Sequence, residues 1–282
     1  MTKRHAIITC CDARCGDFLI QHWLKSLRAN VNLTQVDVVV LDYGLTESQR
    51  ETLHQANVLF FPCVKDGFVC NLRYRDMCRL FETHAYDQVL SVDAGDVIFQ
   101  SDISDQFEQN KTCFRAVYEE LKTPFYDFVI RRDDIDPIKY REILHFLDDK
   151  RMLNAGAVWG PAEGFKRFWN NYREICNSFD CYGIDQMILN YTLYQEGFVE
   201  LERCYNFVLV SSTSPYKIKN GVFYDAQGRI IPLVHNAGIQ DATRAVRNFG
   251  YGPRRNQRKW LLPIGVRLFV AAGHVWKHLR RA

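Results

Sequence analysis

The sequence predicts an α/β fold, in which helices flank a mostly parallel central sheet within a single domain. Over the first 100 residues, short uninterrupted apolar runs alternate with segments that have a helical spacing of apolar residues. Strands that are apolar throughout are typical of parallel sheets covered on both faces. Ligands of such sheets bind at the carboxyl ends of the strands, where Asp12, Asp42 and Asp93 follow three of the runs. This part of the chain is therefore expected to bind a nucleotide.

The first half is expected to supply four strands and the helices between them. Thr46 and Gln49 have the spacing of a capping box, which predicts the start of a helix. Pro62 is expected to end the third strand. In order, strands are predicted at Ala6–Cys11, Val36–Leu41, Val58–Phe61 and Val89–Val92, and helices at Phe18–Leu27, from Thr46, and at Asn71–His84.

The pattern after residue 100 is less regular. One helix there carries aromatic residues at three- and four-residue spacing, Phe165, Phe168, Trp169 and Tyr172, which indicates a stripe that faces the core. A globular domain at residues 1–240 and a basic extension at 241–282 are the simplest division. Strands are predicted at Cys113–Tyr118, Met152–Trp159 and Tyr205–Val210, helices at Pro137–Leu147, Ala162–Ser178 and Asp185–Gln195, and a hairpin that joins Val222–Tyr224 to Ile230–Val234.

Composition excludes several classes of protein. With 282 residues, 47% of them hydrophobic, the chain can bury an ordinary globular core. A net charge of +3 is too small to indicate a nucleic-acid-binding protein. The ten cysteines lack zinc-ligand spacing and indicate reduced thiols in a cytoplasmic protein. No signal-peptide pattern precedes the first strand, so the sequons at Asn32, Asn110 and Asn190 are interpreted as chance matches.

Two carboxylates at the end of the fourth strand form the strongest candidate site. Asp93 and Asp96 lie between two apolar runs in the segment Tyr86–Asp105. Adjacent anions at a buried strand end repel each other and lose hydration, so a compensating cation is expected. Mg²⁺ and Mn²⁺ suit this role because they bind carboxylate oxygens and keep positions free for phosphates. Gly95 permits a bend that directs both carboxylates to one point, although this composition is also typical of a simple turn.

The segment around these aspartates resembles the metal-binding segment of nucleotide-sugar-dependent glycosyltransferases of the GT-A fold. The hallmark of that group is Asp-x-Asp, whereas this chain has Asp-x-x-Asp, a spacing that occurs in a subset of such enzymes. Four further segments resemble its glycogenin-like and bacterial galactosyltransferase-like members, in the family's order. The resemblance covers about residues 5–240 and implies a Rossmann-like GT-A domain.

The resemblance implies a set of donor-binding residues. Arg75, within Arg73-Tyr74-Arg75-Asp76, is expected near the diphosphate, because a guanidinium offers a planar fork of donors. Asn154 and Gly156 are expected to line the sugar pocket, although packing at a strand edge also explains small residues there. The strand-end residues Thr9, Asp12 and Asp42 complete the predicted donor site, and the two aspartates are equally well explained as loop caps.

The resemblance also implies catalytic residues and a third metal ligand. Asp185 and Gln186 are expected beside the anomeric carbon, where one of them binds sugar hydroxyls or assists catalysis. Asp185 is also explained as a cap, since a carboxylate is favoured at a helix N-terminus. His235 is expected to bind the metal and Gly238 the diphosphate. Two carboxylates and one imidazole suit Mn²⁺ somewhat better than Mg²⁺.

The implied reaction is the transfer of a hexose from a nucleoside diphosphate sugar to a glycan or lipid-linked acceptor, in cell-surface polysaccharide or lipopolysaccharide synthesis. An inverting mechanism needs a carboxylate base, for which Glu119 and Glu120 are candidates, while the glycogenin-like resemblance implies retention. A sugar nucleotidyltransferase has a similar sheet but needs a Gly-rich basic loop, and residues 10–16 have one Gly and one Arg. A non-catalytic glycan- or membrane-binding protein on the same fold is a further alternative.

The extension at 241–282 contains ten basic residues and one acidic residue, Asp241. The stretch Trp260–Trp276 is too short to span a membrane and is interrupted by Arg267. Basic residues with tryptophan at both ends of an apolar stretch are typical of an interfacial helix on an anionic membrane. The extension is therefore expected to hold the enzyme on the cytoplasmic face of a membrane, and a helix docked on the domain is the alternative.

Overall fold

The structure, a computed structural model, describes residues 3–121, 135–180, 182–238 and 243–259, together with Gly265 and Leu268. The strands are β1 His5–Cys11, β2 Val36–Asp42, β3 Leu59–Pro62, β4 Gln88–Val92, β5 Val97–Phe99, β6 Phe114–Tyr118, β7 Leu153–Pro161, β8 Phe198–Glu200, β9 Phe207–Val208, β10 Lys217–Lys219, β11 Val222–Tyr224, β12 Leu233–His235, β13 Val246–Arg247 and β14 Gln257–Arg258. The α-helices are α1 Ala13–Phe18, α2 Lys25–Asn30, α3 Glu47–Gln55, α4 Val69–Leu80, α5 Pro137–Leu147, α6 Ala162–Ile175 and α7 Ile184–Glu196.

The main sheet has the strand order β3-β2-β1-β4-β7-β6-β8. Its first four strands are parallel, and β7 runs antiparallel to both β4 and β6. The mostly parallel sheet predicted from the apolar runs is therefore confirmed. The carboxyl ends of β1, β2 and β4 meet at one edge, which brings together the loops that follow them.

Helices cover both faces of this sheet, and each face has its own buried cluster. On one face, α4 and α6 contribute Tyr74, Phe165, Phe168 and Tyr172, all fully buried. Trp23 lies in the cluster of the other face. The aromatic stripe is thus part of the core, as its spacing indicates.

A small second sheet, of order β5-β12-β9, positions the end of the chain against the first half. Strand β12 runs antiparallel to β5, with His235 opposite Val97. The backbone N–H of Asn236 donates to the carbonyl of Asp96 at 2.8 Å. A residue far along the sequence is thereby held beside the loop between β4 and β5.

Three sequence predictions of secondary structure need correction. The predicted hairpin is found only next to its turn, where Tyr224 and Ile230 form an antiparallel bridge and the N–H of Ile231 donates to the carbonyl of Phe223 at 3.1 Å. The regular partner of β11 is β10, joined by a turn at Asn220-Gly221. The predicted strand Tyr205–Val210 begins as a 3₁₀ turn, Arg203–Asn206, before the short β9. The predicted helix at Phe18–Leu27 is longer, because α1 and α2 are joined through a π-helical segment, Leu19–Leu24.

The described part of the C-terminal extension packs on the domain. Ala245, Val246 and Phe249 are buried in one cluster with Val234, next to β12. The predicted amphipathic stretch after Lys259 lies outside the described residues, apart from Gly265 and Leu268. Among the residues that the structure describes, no helix is long and apolar enough to cross a membrane.

Candidate active site

The loop between β4 and β5 carries the two predicted carboxylates. The N–H of Asp93 donates to the carbonyl of Gly156 at 2.9 Å, which ties the end of β4 to β7. Gly95 lies under Cys15: a Cβ at this position would be 2.9 Å from the thiol sulfur. The glycine therefore allows the loop to pass close to α1, in addition to the bend that the sequence indicates.

The structure brings Asp93, Asp96 and His235 together. One ligand atom from each lies within 4.8 Å of the others. The Nε2 atom of His235 lies 3.5 Å from Asp96 Oδ1 and 3.8 Å from Asp93 Oδ2. Two carboxylate oxygens and an imidazole nitrogen that converge in this way fit a Mn²⁺ or Mg²⁺ ion with open positions for phosphate oxygens.

A chain of hydrogen bonds fixes the imidazole from behind. His235 Nδ1 lies 3.1 Å from Asn206 Oδ1, and the Asn206 amide donates to Asn154 Oδ1 at 2.9 Å. The Asn154 amide in turn donates to Glu119 Oε1 at 2.8 Å. The carboxylate at the end makes every step directional, so Nδ1 carries the proton and Nε2 is left to accept a metal.

Gly156 lies directly against the side chains of this cluster. A Cβ added there would lie 2.3 Å from His235 Cε1 and 2.9 Å from Asp93 Oδ2. Its N–H donates to Asn154 Oδ1 at 2.9 Å. The geometry therefore explains two residues of the Asn-Ala-Gly segment. The asparagine links the Asn206 amide to Glu119, and the glycine leaves space for the side chains of His235 and Asp93.

Arg73 is the cation that the structure places at the site. Its guanidinium donates to Asp93 Oδ1 at 2.6 Å, to Asp185 Oδ2 at 3.0 Å and to the carbonyl of Ala155 at 3.1 Å. Arg73 is 3% exposed. It joins α4, β7 and the N-terminal turn of α7, and leaves Asp93 Oδ2 directed toward His235.

Arg75, the predicted diphosphate ligand, is not brought to this cluster. It forms ion pairs with Asp66 at 2.7 Å and with Asp76 at 2.9 Å, and donates to the carbonyl of Val64. Residues two apart on a helix do not face the same side. Within the same four-residue segment, the helix therefore presents Arg73 to the carboxylates and Arg75 to the loop that precedes α4.

Asp185 and Gln186 open α7 beside the site. Asp185 is buried against Arg73. Gln186 Oε1 accepts from the N–H of Ala155 at 3.1 Å, and its amide lies 3.4 Å from Glu119 Oε1. Gln186 is thus tied to β7 and Asp185 to Arg73 of α4, which holds both side chains beside the carboxylate cluster.

The buried charges shift one another's ionisation. Burial raises the pKa of the Asp93 carboxyl, although Arg73 opposes this shift. Burial also acts against the charge of Asp96, but His235 and Arg244 outweigh it and lower the pKa. Burial alone would lower the pKa of His235, and Asp96 with Asp93 raises it above its ordinary value. The two carboxylates thus favour the charged form of the His235 imidazole.

The strand-end residues of the predicted donor site differ in their surroundings. Thr9 is buried, and its hydroxyl has no hydrogen-bond partner among the residues described. Asp12 caps α1 and pairs with Lys65 at 2.8 Å and with Arg14 at 2.9 Å. Asp42 accepts the N–H groups of its own turn and the guanidinium of Arg50 at 2.6 Å. Asp12 and Asp42 therefore have structural roles at the edge where a nucleotide is expected.

Gly238 adopts a φ of +153°, and a Cβ there would lie 2.9 Å from Arg244 Cγ. Arg244 donates from Nε to the carbonyl of Gly238 at 3.3 Å, and its Nη2 lies 3.7 Å from Asp96 Oδ2. By its position in the sequence, Arg244 belongs to the basic extension, whereas the structure places it at the carboxylate cluster.

Sequence reasoning missed Arg73, Asn206 and Arg244 as site residues. Arg73 lies in the quoted motif, and the helical facing of α4 relative to Asp93 is the signal that would select it. Asn206 belongs to no motif. Arg244 follows His235 by nine residues in a segment whose composition indicates a membrane surface instead.

No known protein family and no curated protein matches the sequence. Among solved structures, the galactosyltransferase LgtC in complex with donor and acceptor sugar analogues has a TM-score of 0.53 and 17% identity, over 85% of this chain and 88% of that one. The bifunctional glycosyltransferase WbbM has a TM-score of 0.57 and 14% identity, over 84% of this chain and 46% of that one. GlyE of Streptococcus pneumoniae TIGR4, also a glycosyltransferase, has a TM-score of 0.55 and 16% identity, over 89% of this chain and 58% of that one. In fold, the chain therefore resembles GT-A glycosyltransferases, as its motifs predict.

Proposed function

We propose that this chain is a metal-dependent glycosyltransferase that transfers a hexose from a nucleoside diphosphate sugar to a glycan or lipid-linked acceptor. The observation that carries the proposal is the convergence of Asp93, Asp96 and His235 at the carboxyl end of β4, with Arg73 fixed behind them. The fold shared with LgtC, WbbM and GlyE supports it. Cell-surface polysaccharide or lipopolysaccharide synthesis is the setting that fits such an acceptor.

The residues of the triad would hold Mn²⁺ or Mg²⁺. When bound there, such an ion supplies positive charge to the diphosphate as the bond to the sugar breaks. Arg73 keeps one oxygen of Asp93 engaged, so that the other is presented to the cluster. Asn206 holds the imidazole with Nε2 on the side of the carboxylates.

Arg244 is a second cation at the carboxylate cluster and would face the diphosphate of a bound donor. It is half-buried and lies 3.7 Å from Asp96, in front of the Gly238 turn. A fixed guanidinium stabilises negative charge on a leaving diphosphate more than on the intact donor, which is the differential effect that catalysis requires.

Of the two adjacent glutamates, Glu119 is the better candidate to contact the sugar or acceptor. Glu120 is fully engaged, because its carboxylate accepts from Ser212, Thr213 and Ser214 and pairs with Arg203. Glu119 lies next to Gln186 and Asn154, and burial raises its pKa. A raised pKa brings a carboxyl group nearer to the range in which it can exchange protons at neutral pH.

We further propose that the protein works on the cytoplasmic face of a membrane, as a peripheral protein bound through its basic C-terminal extension. The ten basic residues between 241 and 282 support this placement. A lipid-linked acceptor would be presented on the same surface.

Hydrolysis of nucleotide sugars by the purified protein tests the proposed activity. With Mn²⁺ and the correct donor, we expect slow release of nucleoside diphosphate that EDTA abolishes. Asp93→Asn should reduce the rate at least 100-fold, whereas the exposed Asp149→Asn should leave it unchanged. Turnover that persists in both EDTA and Asp93→Asn would overturn the proposal.

A further inference from the structure

A cavity lined by basic residues lies apart from the site described above. It is an open groove with a volume of about 800 Å³ between the hairpin β10–β11 and residues 254–258. Its lining includes five cationic side chains, Lys217, Lys219, Arg254, Arg255 and Arg258. None of the residues that line it in the described part of the chain is acidic. The cavity is therefore a concave surface of one charge.

The cationic side chains of the hairpin are not neutralised by acidic residues in the described part of the chain. Lys217 and Lys219 are exposed and lie two apart on β10, so both project from the same face of the strand. Neither they nor Arg254 form an ion pair with any residue that the structure describes. The nearby Asp225 is already engaged by Arg229 at 2.8 Å. Their charge is thus available to an external anion.

Hydrogen bonds from a buried side chain hold the two sides of the groove together. Asn256 is 4% exposed, and its amide donates to the carbonyls of Gly221 at 2.7 Å and Gly250 at 2.9 Å. The bond to Gly221 holds the hairpin turn against the C-terminal segment, and the bond to Gly250 fixes Asn256 within that segment. Arg258 lies over the ring of Tyr216, 4.6 Å from its centroid, which positions one guanidinium on the groove wall.

We infer that this groove binds the phosphate groups of an anionic lipid surface. A single small anion needs neither a cavity of this volume nor five cations, whereas lipid headgroups present several phosphates side by side. The chain also leads from Lys259 directly into the apolar stretch that begins with Trp260. The groove and that stretch therefore combine the two components of peripheral membrane binding, which are basic charge and apolar residues.

The groove is also joined to the active site. Strand β14, which carries Arg258, pairs with β13, and the Asn236 side chain holds Val246 of β13 by two hydrogen bonds of 3.0 and 3.1 Å. Asn236 directly follows His235. Binding of lipid phosphates in the groove would thus fix the orientation of the active site relative to the membrane surface. The inference extends the membrane part of the proposed function and makes the hairpin, not only the extension, part of the binding surface.

The test measures binding of the full chain to vesicles by sedimentation. Vesicles of phosphatidylcholine with 30% phosphatidylglycerol (roughly a third anionic lipid) are compared with phosphatidylcholine alone. The triple variant Lys217→Gln, Lys219→Gln and Arg254→Gln is compared with a control, Arg28→Gln, Arg167→Gln and Arg173→Gln, which removes three exposed cations elsewhere.

We expect the wild type and the control to bind the anionic vesicles, and the triple variant to bind about 100-fold more weakly, since each basic residue contributes about fivefold. Equal binding of the triple variant, or no binding of the wild type, would overturn the inference. In another outcome, millimolar inorganic phosphate raises the melting temperature of the wild type and not that of the triple variant, while neither protein binds vesicles. That result would overturn the inference that the ligand is a lipid and would indicate a soluble phosphate.

A negative result for lipid binding by the groove can be distinguished from a negative result for the proposed glycosyltransferase activity. The thermal shift that a donor nucleotide with Mn²⁺ produces is measured on the same variants without vesicles. We expect the triple variant to retain that shift, because none of its three residues contacts the carboxylate cluster. Loss of vesicle binding with the donor shift retained therefore supports the groove independently of the donor site.

Discussion

Asn206 Oδ1 lies 3.1 Å from His235 Nδ1, and this contact decides which nitrogen of the imidazole faces the carboxylates. The orientation of the Asn206 amide is itself fixed, because its NH₂ group donates to Asn154. A histidine that donates through Nδ1 is held as the tautomer whose Nε2 can bind a metal. The site is thus organised by a buried amide that has no charge of its own.

The substitution Asn206→Ala should weaken Mn²⁺ binding by about 10- to 100-fold, which is the usual effect of removing such a supporting hydrogen bond. Isothermal titration of the protein with Mn²⁺ measures the affinity directly. Asn170→Ala, at an exposed position of α6, is the control and should bind as the wild type does. Unchanged affinity in a folded Asn206→Ala protein would show that the ring is held by other contacts.

Arg73→Lys should reduce donor hydrolysis, whereas Arg75→Lys should leave it unchanged. A lysine at 73 cannot bridge Asp93, Asp185 and the carbonyl of Ala155 at once, so we expect donor hydrolysis to fall at least 10-fold. Loss of the hydrogen bonds that a lysine cannot make should also reduce the free energy of unfolding by about 2 kcal/mol, measured with urea. Hydrolysis that depends on Arg75 instead would restore the interpretation based on the sequence motif.

The substitution Gly156→Ala should impair the cluster without disrupting the sheet. The added Cβ would lie 2.3 Å from His235 Cε1, so the imidazole must move away from Asp93 and Asp96. We expect Mn²⁺ affinity to fall at least 10-fold, with the far-ultraviolet circular dichroism unchanged. Gly164→Ala, whose Cβ would meet Phe114 at 3.1 Å in the core, is the matched control. Equal Mn²⁺ affinity in the two variants would contradict this account of the Asn-Ala-Gly segment.

Glu120 should make stability depend on pH below neutrality. Burial opposes its charge, but hydrogen bonds from Ser212 and Ser214 lower the pKa to about 2. Because this value is below the ordinary 4.5, the stabilisation is complete at higher pH and is lost as the pH falls from 4.5 through about 2. Glu120→Gln should therefore cost roughly 2 kcal/mol at pH 7, measured by thermal unfolding. A difference from the wild type that does not shrink on acidification would contradict the prediction.

The order of strands and helices was predictable because buried parallel strands leave continuous apolar runs. The helix Pro137–Leu147 is found with the predicted bounds. The hairpin was not predictable in the same way. Leu233–His235 pairs with β5, 134 residues earlier at Phe99↔Leu233, and the apolar pattern of a short strand does not disclose such a distant partner.

The site was predictable to the extent that its residues form motifs. The juxtaposition of Asp93, Asp96 and His235 agrees with the structure, and their role as metal ligands stays a prediction. The choice between Arg73 and Arg75 depends on which face of α4 meets β4, which the four-residue motif alone does not specify. Asn206 was not predictable, because its role depends on two side chains that lie 29 and 52 residues away.

The most direct test of the central claim is a thermal-shift panel of nucleoside diphosphates and nucleotide sugars, with and without Mn²⁺, on the wild type and Asp96→Asn. A ligand that binds only the folded state raises the melting temperature. We expect a Mn²⁺-dependent shift with one nucleotide family, absent in Asp96→Asn and retained in the surface control Asp149→Asn. No shift with any nucleotide, or the same shift in Asp96→Asn, would contradict that claim.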